Sequence, residues 1–102
     1  MINDDKLLEL LKEIRKIPEL YIGKKSLERL YAFIGGYTHH ENFKKNNLDD
    51  DWMKDFQKYI ENRYRLNTTH NWASIIQFFS NTEEEAFNKF YEHLDNFLKE
   101  YK

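Results

Sequence analysis

The sequence predicts an all-α fold, one compact domain of about five helices spanning residues 1–102. Apolar residues recur at helical spacing over most of the chain, and no segment alternates with period two for long enough to make a strand. Breakers are few: one proline and three glycines in 102 residues.

The first helix is expected over residues 5–17. Leu7, Leu8, Leu10, Leu11, Ile14 and Ile17 share its apolar side, and Asn3 or Asp4 can cap its start. Pro18 disfavours helical geometry at Ile17 and ends the segment. Leu20, Tyr21 and Ile22 are then expected to cross the core as a short extended plug, with Gly23 turning the chain. Ser26 is the natural N-cap of a second helix over 26–40, with Leu27, Leu30, Tyr31, Ile34 and Tyr37 in one stripe. Gly35 and Gly36 near its end either loosen the helix or admit a second backbone. Residues 41–48 read as a loop.

Asp49, Asp50 and Asp51 open a third helix, through about Tyr64, in which Trp52, Met53, Phe56, Tyr59, Ile60 and Arg63 follow the 3.6-residue period. A connector over 65–70 leads to a short fourth helix, about 71–79, with Trp72, Ile75, Ile76 and Phe79 in register. The last helix, about 82–101, is the clearest. Thr82 with Glu85 fits a capping box, and Phe87, Phe90, Tyr91, Leu94, Phe97, Leu98 and Tyr101 form its apolar face.

Composition narrows the function. There are no cysteines, which excludes disulfides, thiolate metal sites and cysteine nucleophiles. No apolar run reaches the roughly 20 residues that span a bilayer, and the acidic N-terminus lacks a signal-peptide pattern. A soluble, cytoplasmic protein is expected. A net charge of −2 gives no broad cationic face, so neither nucleic acid nor membrane is an expected partner. The segment "NWASIIQFF", the natural recognition helix of a helix-turn-helix, has no Lys or Arg.

Catalysis is not expected either. There is no nucleophile elbow and no phosphate loop, and nothing fixes the mutual geometry of histidines and carboxylates. His39, His40 and Glu41 are neighbours, but adjacent helical residues point about 100° apart, so one metal cannot easily take both imidazoles. No metal, cofactor or catalytic residue is assigned.

Two resemblances bear on the Pro18 break. "IRKIPELYIG" resembles the "RKRPGMYIG" stretch of gyrase B-type ATPases, but only over about ten residues. Those enzymes need a larger α/β domain and glycine-rich nucleotide loops that this chain lacks. A broader match runs through Pro18-Glu19-Leu20-Tyr21-Ile22-Gly23, Ser26-Leu27, Phe33 through Tyr37, and "NWASIIQFFSNTEEEAFNKFYEHLDNFL". This pattern resembles a family of small bacterial immunity proteins whose genes neighbour polymorphic and contact-dependent growth inhibition toxins. Glu19 departs from the Pro-Gly-Met form of that motif. The resemblance implies neutralisation of a cognate toxin domain and does not say which toxin; many such toxins attack nucleic acid and carry basic clefts, so a nuclease blocked at its active site or substrate path is the expectation.

Against such a partner the acidic runs are the candidate contacts: Asp49, Asp50, Asp51 and Asp55 first, then Glu83, Glu84 and Glu85. Both runs also open helices, where carboxylates suit the N-terminal dipole. Trp52 and Tyr59 are candidate anchors that equally fit the core stripe, with Arg63 and Tyr64 as alternatives. The competing expectation is a small regulatory or adaptor domain that binds a partner helix or a second copy of itself.

Overall fold

The computed structural model describes residues 6–45 and 52–100, and of residues 39–45 only the helical backbone. Six helices follow in order: α1 Lys6–Lys16, α2 Pro18–Ile22, α3 Leu27–Lys45, α4 Trp52–Arg63, α5 Trp72–Phe78 and α6 Glu83–Glu100. No strand occurs among the described residues, and the all-α class is as expected. The predicted caps Asn3 and Asp4, the run Asp49-Asp50-Asp51, and Tyr101 lie outside the described residues.

Two expectations about the chain's course are corrected. Leu20, Tyr21 and Ile22 do not cross the core as an extended plug. They belong to α2, a helix of little more than one turn, which buries Pro18 and Ile22 and leaves Leu20 71% exposed. Proline's fixed φ suits the first turn of a helix, where its missing N–H has no partner to lose. Gly23 ends α2 at φ +88°, its N–H bonding the Glu19 carbonyl. The second correction concerns α3, which runs on to Lys45 through half of the expected loop at 41–48.

α3 and α6 together hold the other helices. α6 packs against α3, α4 and α5, while α1 and α2 pack on each other and on α3. Phe56 of α4 sits at the centre with no exposed surface, and the rings of Trp52, Tyr59, Trp72, Phe90 and Phe97 surround it at centroid distances of 5.4–6.3 Å. Edge-to-face geometry predominates there, as the ring quadrupole favours. The high aromatic content is thus largely spent on the core.

Polar contacts fix the helix ends. Ser26, fully buried, accepts from the Arg29 N–H at 3.3 Å, as expected of an N-cap. The capping box at α6 is present: Thr82 Oγ1 accepts from the Glu85 N–H, and Glu85 returns a bond to the N–H of Asn81, each at 3.0 Å. Asn71 caps α5 through Ser74 N–H at 2.8 Å. Gln57 then ties α5 to α4, its Oε1 accepting from Trp72 N–H at 2.6 Å and its amide nitrogen donating to the His70 carbonyl at 3.0 Å. Tyr91 donates to the Leu11 carbonyl at 2.6 Å and joins α6 to α1. Burial pushes that phenol far above its ordinary value.

Candidate interaction surface

The predicted acidic contacts come first. Glu83, Glu84 and Glu85 are on the surface at the start of α6, but each faces a lysine. Glu83 binds Lys24 at 3.0 Å, Glu85 binds Lys89 at 3.0 Å, and Glu84 lies 3.9 Å from Lys25. Hydrogen bonds from Lys24, then from Ser26, hold the Glu83 carboxyl below the usual carboxylate range. The Asn81 N–H, then Lys89, do the same for Glu85. The basic pair Lys24-Lys25 therefore meets the acidic run, and the net field of this face is small. The pairing pins the α2–α3 turn to α6. Asp55 is exposed in the first turn of α4, on a different element. Asp49, Asp50 and Asp51 lie outside the described residues, so their relation to Asp55 is one of sequence alone.

Of the candidate anchors, Trp52 is only 4% exposed, and its ring stacks on Phe97, so it is core rather than contact. Tyr59 is half-buried against Phe56 and Phe97. Arg63 and Tyr64 instead lead to a surface of a different kind. Tyr64 leaves the end of α4 and stacks on Phe79 at 4.9 Å with ring planes 15° apart. Phe79 meets Phe78 edge-on at 5.1 Å, and Phe78 is 81% exposed. Phe79 was expected in the buried stripe of α5. It is half-exposed because it is the C-cap, where the backbone has left the helical path (φ −98°, ψ 19°).

This aromatic end is held from beneath. His93 Nε2 and Tyr64 Oη are hydrogen-bonded at 2.8 Å, and Lys89 donates to the Phe79 carbonyl at 2.7 Å. The other imidazole nitrogen, Nδ1, is buried with no partner among the described residues. Burial first, then the positive charge of Arg63, holds His93 below its ordinary value; Glu92 opposes this, and Lys89 adds a still smaller lowering. Burial likewise raises Tyr64. A neutral ring therefore supports the stack.

Beyond Tyr64 the surface carries two arginines and a carboxylate. A cleft of about 520 Å³ is lined by Tyr59, Asn62, Arg63, Arg65, Asn96 and Glu100. A larger groove of about 920 Å³ lies between α1 and α6, but two of its cations are already paired, Arg15 with Asp95 and Lys16 with Glu13. Among the described residues no three His, Asp or Glu side chains converge as metal ligands, and the side chains of His39, His40 and Glu41 are outside them. No described helix is long and apolar enough to cross a membrane.

The chemistry available at the α5 end is adhesion. Rigid rings present apolar surface at low entropic cost, and neighbouring charges orient what binds. Comparison of the chain with protein-family models, with curated proteins and with solved structures finds no match.

Proposed function

We propose that this protein is a stoichiometric inhibitor that binds the toxic domain of a cognate effector and blocks its active site or substrate path, acting in the cytoplasm. The Pro18–Gly23 motif and the 71–98 stretch support the toxin as partner through their resemblance to immunity proteins. The observation that carries the binding role is Phe78, a large apolar ring left 81% exposed beside an ordered aromatic stack. Single exposed apolar residues are ordinary, whereas a braced set of rings is the form that interface anchors take. In this reading the aromatic end holds the complex. The carboxylates of Asp55, in the first turn of α4, and of Asp49, Asp50 and Asp51, which precede it in sequence, speed the encounter with basic ground on the toxin.

The test is co-expression with the product of the gene immediately upstream. A one-to-one complex that restores growth to cells making the toxin is expected. No complex and no rescue would remove the proposal. Concentration-dependent dimerisation by sedimentation, with no complex, would instead assign the same rings to a self-associating adaptor domain.

A further inference from the structure

The chain has four arginines, and the structure uses two of them internally. Arg15 binds Asp95 at 3.1 Å and lies over the Tyr91 ring, and Arg29 donates to the Ile22 carbonyl at 3.0 Å. Arg63 and Arg65 are exposed and have no carboxylate within 4.0 Å among the described residues. They flank Tyr64 in sequence; Tyr64 stacks on Phe79, and the two arginines line the cleft beside it together with Glu100.

Arg63 alone has a sufficient explanation, because a cation in the last turn of α4 suits the helix dipole. Arg65 does not. It holds φ +57°, the only non-glycine residue with positive φ among those described. Leu66 N–H bonds the Glu61 carbonyl at 2.9 Å, five residues back, which makes Arg65 the left-handed residue that closes α4. Glycine fills that position without strain, as Gly23 does at the end of α2. An arginine there accepts backbone strain to keep a long cationic side chain at that point on the surface. Two backbone bonds close the turn, Arg65 N–H to the Asn62 carbonyl at 3.2 Å and Leu66 N–H to the Glu61 carbonyl, but no hydrogen bond or ion pair holds the guanidinium among the described residues, and that side chain is therefore the part to test for function.

We infer that Phe78, Phe79 and Tyr64 together with Arg63 and Arg65 form one docking surface, and that its occupant is a toxin domain offering an apolar pocket bordered by carboxylates. The inference rests on the proposed toxin-binding function and goes beyond it in the partner's chemistry. A guanidinium meets a carboxylate through two parallel hydrogen bonds, which fixes orientation as well as sign. α4 then carries a carboxylate in its first turn, Asp55, and a guanidinium in its last, Arg63, about 12 Å apart at 1.5 Å per residue. The toxin is required to present the opposite order: basic ground facing the start of α4, acidic ground facing its end.

Two variants of the full chain test this against the toxin domain encoded upstream. Arg65→Gly relieves the strain, so its thermal midpoint is expected to hold or rise while affinity falls roughly tenfold. Arg63→Glu with Arg65→Glu is expected to weaken the complex about a hundredfold and to reverse the salt dependence of the remaining binding. Unchanged affinity in both variants would overturn the inference, and a loss on Phe78→Ala in the same assay would leave the toxin-binding function standing. If the wild-type chain forms no complex, the proposed function fails and the docking surface with it. Self-association through the rings would also overturn the assignment, because the occupant would then be a second copy.

Discussion

His93 is the residue on which the aromatic end turns. Its ring is half-buried, bonded on one side to Tyr64 and buried without a partner among the described residues on the other, and faces the cations Arg63 from α4 and Lys89 from its own helix, with Glu92 as the nearby anion. Protonation places a charge where burial and two cations oppose it. The folded value lies below the ordinary 6.5, so the unfolded chain binds more protons and stability rises with pH through this region. The contribution is complete above about 6.5 and is lost as pH falls through the lower folded value. Thermal midpoints measured against pH are expected to decline below about 6.5, and His93→Gln is expected to flatten that decline. A second decline belongs to Glu83 and Glu85, whose depressed values place it below their ordinary 4.5. A wild-type slope that survives in His93→Gln would assign the first decline elsewhere. Gly23 shows the opposite use of a single position. At φ +88° a Cβ would also lie 2.6 Å from Arg29 Nη1, the guanidinium that braces the Ile22 carbonyl, so glycine here serves the turn and not a ligand.

At the scale of the element, α3 offers the plainest test of propensity. Gly35 and Gly36 lie inside a 19-residue helix, and a Cβ at either meets nothing within 4 Å among the described residues. No second backbone approaches them among the described residues, so what remains is their entropic cost. Gly35→Ala and Gly36→Ala are each expected to stabilise the protein by about 0.5–1 kcal/mol, read as a shift of the denaturation midpoint with unchanged slope. Destabilisation would show that something packs on that face. The long helices were legible in the sequence because a 3.6-residue period needs several turns to declare itself, and α6 with its Thr82–Glu85 cap has them. α2 was not legible: it has only five residues, Pro18 to Ile22, too few to tell a turn of helix from an extended plug. Gln57 joins α4 to α5 across fifteen residues of sequence, a contact with no local signature. At the candidate site, Arg63 and Tyr64 could be named beforehand because they end a periodic segment. Phe78 could have been found from the one signal it gives, a large apolar residue off the stripe formed by Trp72, Ile75 and Ile76. The pairing of Glu83 and Glu84 with Lys24 and Lys25 depends on tertiary structure, which charge counting along a chain does not see, whereas Glu85 and Lys89 are an i,i+4 pair within α6.

Over the whole molecule, the aromatic residues divide between two tasks, and two phenylalanines mark the division. Phe56 is 0% exposed and touches five other rings across α4, α5 and α6. Truncating such a side chain removes its burial and leaves a cavity, at a cost of about 3–5 kcal/mol. A domain of this size holds only about 5–15 kcal/mol in total. Phe56→Ala is therefore expected to bring the protein close to unfolding, and any loss of partner binding in it would say nothing about the interface. Phe78 is 81% exposed, and its ring touches Phe79 at the rim of the fold. Phe78→Ala is expected to change stability by no more than about 0.5 kcal/mol. As an anchor seated in a partner's pocket, the same truncation costs about 2 kcal/mol or more of binding free energy, some thirtyfold in affinity. Thermal melts and affinity for the toxin domain, measured on both variants, separate the two tasks. If Phe78→Ala destabilised the fold as a core substitution does, the exposure of its ring would not describe the protein in solution. If it left both fold and affinity intact, the complex would have to be held elsewhere, and the acidic start of α4 would become the surface to map.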